Sequence, residues 1–238
     1  MSASFIPDRY VEVHNTSLSP AHRFPVFGEQ AHGLVNGVVR RLRRERRRRK
    51  VGRAYDMALE IARVLPLQSS VLDVGCGNGY IAHHLSALLG STVLGLDLAT
   101  STEAPIAYRQ FDGARFPVGA NTVDAILLCY VLHHAQDIES LTSELRRVLK
   151  PTGIVVVYED IPEAWWDRLV CAVHDLKWRG RTGSCHFRLA TQWQGLFSAA
   201  GFRTVTTRTL SRWRNLAHPV SRNFFVLTPD PNIIYSAL

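Results

Sequence analysis

No apolar run in this chain approaches the ~20 residues that a membrane-spanning helix needs. The longest, around residues 126–132, is far shorter. The opening MSASFIPDRYVEVH lacks the uninterrupted apolar stretch of a secretory leader. The four cysteines (Cys76, Cys129, Cys171 and Cys185) form no C-x-x-C pair, which argues against a disulfide framework and against a zinc ribbon. No other metal-ligand spacing stands out, so the sequence predicts no metal. These absences together predict a cytoplasmic chain, either free or held at a membrane surface.

An excess of acid is also missing, and the reason is local. The 238 residues carry a formal charge of +8. Residues 40–50, RRLRRERRRRK, hold eight Arg, one Lys and one Glu, and the rest of the chain is neutral, with 19 basic and 19 acidic residues. The run can be a solvated helix face, a docking site for phosphate-rich nucleic acid, or one for an anionic membrane, where each basic residue near the surface contributes roughly 1 kcal/mol. Flanking Val38, Val39 and Leu42 suit the membrane, and the lack of interleaved aromatics argues against stacking on single strands.

Apolar residues at 46% and charged ones at 20% are ordinary for a folded domain. Residues 1 to about 33 read as an irregular arm. Residues 34–65 have helical periodicity, with Gly52 and the charged gap permitting a break into two helices and Pro66 ending the second. We place the boundary there, with an extension at 1–66 and a main domain at 67–238. From residue 70 to about 160, strand and helix signals alternate: VLDV (71–74), a helix at 81–89, TVLGLD (92–97), IAYRQF (106–111), DAILLCYV (124–131), a helix at 138–149 and GIVVVYE (153–159). Such alternation predicts a doubly wound, mostly parallel α/β sheet. An aromatic-rich helix (165–178), a polar loop, a further helix and two β-rich runs (RTVTTRTL, RNFFVLT) follow, the last two as a closing hairpin.

The sharpest signal is VLDVGCGNG (71–79), in which Gly75, Gly77 and Gly79 stand between a strand and a helix. Glycines allow a tight turn and close approach of a ligand to free helix N–H groups. Asp97 ends the next strand, 22 residues after Gly75, where a carboxylate can accept from ribose hydroxyls. A dinucleotide fingerprint would need glycine at Tyr80, and a phosphate loop would need G-K-[ST]; neither is present. The alternative, an ordinary strand–helix turn, fits poorly with the partners in register.

VLDVGCGNG, GLDL, FDGARFP, and DAILLCYVLHHAQD followed by LRRVLKPTGIVVVYE together resemble the successive motifs of class I S-adenosylmethionine-dependent methyltransferases, most of all the bacterial subgroup of ubiquinone- and menaquinone-biosynthesis type. The resemblance covers residues 71–159. It implies a Rossmann-like, seven-stranded sheet with an antiparallel last strand. It also implies S-adenosylmethionine as cofactor, leaving as S-adenosylhomocysteine. Asp73 and the backbone of Gly75, Cys76, Gly77, Asn78 and Gly79 would hold the methionine part. Asp97 would bind the ribose, Leu98 would lie beside the adenine, and Asp112 would meet the adenine amine with Gly113 following. Cys129 and Tyr130 would turn carbonyls to the cofactor's amino group. One departure stands out. Only eight residues separate Asp97 from Ile106, too few for the usual crossover helix, which we expect to be short or missing.

Methyl transfer requires a base only when the acceptor arrives protonated. His133, His134, Glu159, Asp160 and His186 are the candidates, all expected beyond the strand C-termini. Packing, capping or loop roles are the bland alternatives for each. There is no N/D-P-P-Y after the fourth strand and no Pro-Cys pair, which disfavours methylation of amino groups on adenine and of cytosine carbon. Residues 162–188 occupy the place of a substrate cap, and Trp165, Trp166, Leu169, Val170, Val173 and Leu176 recur at helical spacing. That stripe is expected to cover the sheet or line an acceptor pocket. The leading expectation is methylation of a small apolar or aromatic molecule or lipid. Alternatives are an RNA or protein methyltransferase recruited by the basic helix, and a non-catalytic cofactor-binding scaffold.

Overall fold

The computed structural model describes residues 27–232, with side chains from residue 38 on. Helix α1 (Phe27–Ala62) leads into β1 (Ser70–Val74), α2 (Tyr80–Leu89), β2 (Thr92–Asp97), β3 (Ala107–Gln110) and β4 (Val123–Cys129). Then come a 3-10 turn (Leu132–His134), α3 (Ile138–Val148), β5 (Leu149–Asp160), α4 (Trp165–Thr182), α5 (Ala190–Ala199), β6 (Phe202–Leu210) and β7 (Arg222–Pro229). The seven strands form one sheet in the order β3-β2-β1-β4-β5-β7-β6. Only β7 runs antiparallel to its neighbours, as the closing hairpin predicted. Strand order reverses between β1 and β4, which opens a crevice at their carboxyl ends, where open α/β sheets bind ligands.

The strands owe their burial to two-residue alternation with both faces covered. Leu72, Ile126, Leu128, Val155, Val157 and Phe225 face Leu141, Leu145 and Val148 of α3 and Trp193 and Phe197 of α5. Their odd-faced neighbours Val71, Val93, Leu127, Val156 and Phe224 face Ala58 and Ile61 of α1 and Leu85 of α2. Each fully buried leucine or isoleucine here is worth about 1.5–3 kcal/mol in area removed from water. Asp137 starts α3 by accepting the Ser140 amide at 2.9 Å.

Three expectations change. The basic segment lies in one uninterrupted helix, not two. Arginine is a good helix former, and a single exposed glycine such as Gly52 costs only about 1 kcal/mol. By contacts, the chain divides into Met1–Arg47 and Arg48–Leu238, so the compact domain begins before residue 67. It does so because Ala58, Ile61 and Leu65 are core residues. Glu60 adds a polar clasp, accepting the Tyr158 hydroxyl at 2.7 Å and pairing with Arg214 at 2.9 Å.

The third change concerns α4. Trp165, Trp166, Leu169, Val173 and Leu176 are exposed, so the apolar stripe does not cover the sheet. The inward face carries Asp167 and Cys171, both buried. Buried Asp167 accepts the Ala164 and Ser221 amides at 3.0 and 3.2 Å, fixing the start of α4 on the loop before β7. The missing crossover is as expected, with no helix between β2 and β3. The loop leaves a cleft of about 500 Å³ beside α2, lined by His83, Val93, Ile106 and Ala107.

Candidate functional site

The glycine turn sits at the strand-order reversal. Gly75, Gly77 and Gly79 all have positive φ, at 68°, 54° and 72°. At Gly75 a Cβ would lie 2.5 Å from Val131 beyond β4, so the two sides of the crevice meet there with no room for a side chain. At Gly77 a Cβ would touch nothing within 4 Å, so that edge of the turn is open. Beneath it Asp73 is buried, with one carboxylate oxygen that has no hydrogen-bond partner. Burial, and then the charge of Asp97, push its carboxyl up to about 7. An orphaned buried acid of this kind fits a cationic ligand group, such as the ammonium of an amino acid.

Asp97 accepts from the Gly77 amide at 2.8 Å and the Ala99 amide at 3.0 Å, so it buttresses the turn as well as facing the crevice. In place of a crossover helix, the following loop folds back on the turn. Glu103 accepts from Asn78 and from the Tyr80 hydroxyl, and Ala104 donates to the Asn78 carbonyl at 3.0 Å. Leu98 is half-exposed, and a Cβ on Gly113 would lie 3.2 Å from it, so the two residues pack side by side at the end of β2 and after β3. One oxygen of Asp112 takes the Ala114 and Arg115 amides, and these bonds hold its carboxyl below the usual range. Cys76 donates its amide to Leu96, and burial pushes the Cys129 thiol up. Tyr130 closes β4 with φ 63°, a left-handed conformation uncommon for an aromatic residue, held by its amide's bond to the Tyr158 carbonyl at 2.8 Å. Asp73, the glycine turn and Asp97 are thus held together at the carboxyl ends of β1 and β2, with Val131 beyond β4 against Gly75.

The candidate bases lie past β4 and β5. His133 is buried, with Nδ1 2.7 Å from Glu159, whose other oxygen takes the Leu132 amide at 2.7 Å. Burial pulls His133 down, but the charge and hydrogen bond of Glu159 more than offset this and leave it raised. His134 is lowered to about 3 by burial and by the rings of His133 and His174. Asp160 is not free to act as a base. It pairs with His218 at 2.7 Å and with Arg222 at 3.0 Å. His186 contributes its amide, 2.6 Å from the His133 carbonyl, while its side chain is exposed.

Sequence reasoning missed His174 and Trp178 of α4. Asp167, Cys171, His174 and Trp178 recur at four, three and four residues, which is the inward face. The signal was there, but the more apolar stripe outweighed it. Phe187 stacks on His133 at 4.6 Å and Trp178 on His174 at 6.0 Å.

Comparison with known proteins agrees with this geometry. Residues 72–157 match the family described as a methyltransferase domain. The arginine-hydroxylase NDUFAF5 of Rattus norvegicus mitochondria is 33% identical over 44% of this chain, which spans about a third (32%) of that relative's length. A ubiquinone biosynthesis O-methyltransferase of Brucella ovis is 25% identical over 67% of this chain and 72% of its own. A solved methyltransferase from Methanosarcina mazei superposes with a TM-score of 0.58 at 16% identity, covering 71% of this chain and 96% of that one.

Proposed function

We propose that this chain, whose residues 72–157 form a class I S-adenosylmethionine-dependent methyltransferase domain, methylates a small apolar or aromatic molecule or lipid. The observation that carries the reading is the buried Asp73 carboxylate, one oxygen of which has no partner, under three left-handed glycines, with Asp97 nearby. When bound, the cofactor supplies a sulfonium-activated methyl group for in-line displacement. Asp73 takes the ammonium of its methionine part, and the open edge at Gly77 gives the chain room. Asp97 accepts from the ribose hydroxyls. The half-exposed Leu98 offers an apolar surface beside the base, with the second oxygen of Asp112 for its amine.

The rings of His133, His174, Trp178 and Phe187 give the acceptor side an aromatic wall, which supports a small acceptor over a polymer. Where the acceptor brings a proton, Nε2 of His133 can take it, because Glu159 holds the other ring nitrogen. The relatives' names span hydroxylation as well as O-methylation, so the test must follow the methyl group.

The decisive measurement is calorimetric titration with S-adenosylmethionine, followed by transfer of a labelled methyl to phenols, quinols and lipids. Binding that Asp97→Ala abolishes, together with label in a small acceptor, is the expected result. No cofactor binding overturns the reading; label only in RNA or protein overturns the acceptor class.

A further inference from the structure

Three imidazoles from two elements converge beyond the carboxyl ends of β4 and β5. His133 and His134 end the 3-10 turn, and His174 comes from the inward face of α4. One ligand-capable nitrogen from each lies within 4.8 Å of the other two. Nε2 of His134 and Nε2 of His174 are 3.4 Å apart. That is long for a hydrogen bond between nitrogens, whose usual spacing is about 3 Å. It matches the edge of a tetrahedron, about 3.4 Å, when metal–nitrogen bonds are about 2.1 Å.

The outer nitrogens are already committed. Nδ1 of His133 faces Glu159 at 2.7 Å, and Nδ1 of His134 faces the Thr182 hydroxyl at 3.0 Å. A carboxylate on the far nitrogen of a histidine is the recurrent support for a metal-bound ring, because it sets the tautomer and aims the other nitrogen. That other nitrogen, Nε2 of His133, is fully buried and has no partner. Phe187 and Trp178 stack on His133 and His174 and restrain the rings. Cys185 lies on the outer side of His134, with Sγ 3.4 Å from Nδ1, so it does not complete the set. An all-nitrogen donor set suits zinc and its neighbours and does not suit calcium or magnesium, which take oxygen ligands.

We propose that His133, His134 and His174 bind one divalent transition-metal ion of the zinc type, with three imidazole ligands and a fourth position left open. The proposal does not rest on the methyl-transfer reading, although a bound ion would occupy the same His133 nitrogen that the reading offers as a proton acceptor. It was invisible in linear spacing, because 40 residues separate His134 from His174.

The test uses tag-free full-length protein stripped with chelator and titrated with Co2+. One equivalent should bring the intense visible bands of tetrahedral cobalt, and Zn2+ should displace them. His174→Ala and His134→Gln should each weaken binding roughly tenfold or more, while His83→Ala, at an exposed histidine of α2, should leave it unchanged. Far-UV circular dichroism of the metal-free variants separates lost ligation from lost folding. If one variant fails to fold, the other decides. Absence of saturable one-equivalent binding by the wild type, or equal affinity in a folded ligand variant, overturns the proposal.

Discussion

Asp73 shows how one residue can cost stability in the service of a site. Its carboxyl is pushed up to about 7 by burial and by Asp97, against about 3.9 in an unfolded chain. A raised folded-state pKa stabilises fully below the unfolded value, and that contribution is lost as pH rises to about 7. Asp73→Asn carries no such charge. Chemical-denaturation curves should show the variant gaining on the wild type between pH 4 and 7, then holding a constant lead of a few kcal/mol. The same variant should bind S-adenosylmethionine more weakly, since an amide cannot pair with an ammonium. A flat difference across pH would mean that the carboxyl is not held as described. Gly75 is constrained by space and by backbone. With φ 68° and Val131 2.5 Å from an added Cβ, Gly75→Ala should lose about 2 kcal/mol in denaturant melts and weaken cofactor binding.

At the scale of elements, α4 departs furthest from what its sequence suggests. Five of the six residues of its apolar stripe are exposed, while the acid Asp167 is buried between two amides and Arg212. Hydrophobicity ranks residues by transfer free energy, but a buried carboxylate with several donors forfeits more when removed than an exposed leucine does. Asp167→Ala should therefore lower unfolding free energy by about 3 kcal/mol, and Leu176→Ala should change it by less than about 0.5 kcal/mol. A larger loss at Leu176 would contradict the orientation of the helix. The short β2–β3 connection behaves as counting predicted. Glu103 and Ala104 fold over the glycine turn where a helix would have stood, and Lys50 of α1 reaches Glu103 at 3.6 Å.

At the scale of the whole molecule, the charge and the site belong to different parts. Residues 40–49 are exposed on α1, and no helix among the described residues is long and apolar enough to cross a membrane. Val38 and Leu42 beside the run are more than half exposed. We propose that this half of α1 docks the protein on an anionic membrane. Replacing Arg46, Arg47, Arg48 and Arg49 with Gln should cut binding to phosphatidylserine vesicles at low salt and flatten its salt dependence. Cofactor binding should not change. Equal vesicle binding by the two proteins would remove the docking role.

The sequence by itself determined the mostly parallel sheet, its antiparallel last strand by family likeness, the glycine turn and the missing helix, because each depends on local signals: period-two burial, glycine at a forced turn, and chain too short for a helix. Only the tertiary structure decided which face of α4 turns inward, that α1 runs unbroken into the core through Ala58 and Ile61, and that three histidines meet. Those outcomes turn on contacts between residues far apart in the chain, whose free energies no local pattern contains.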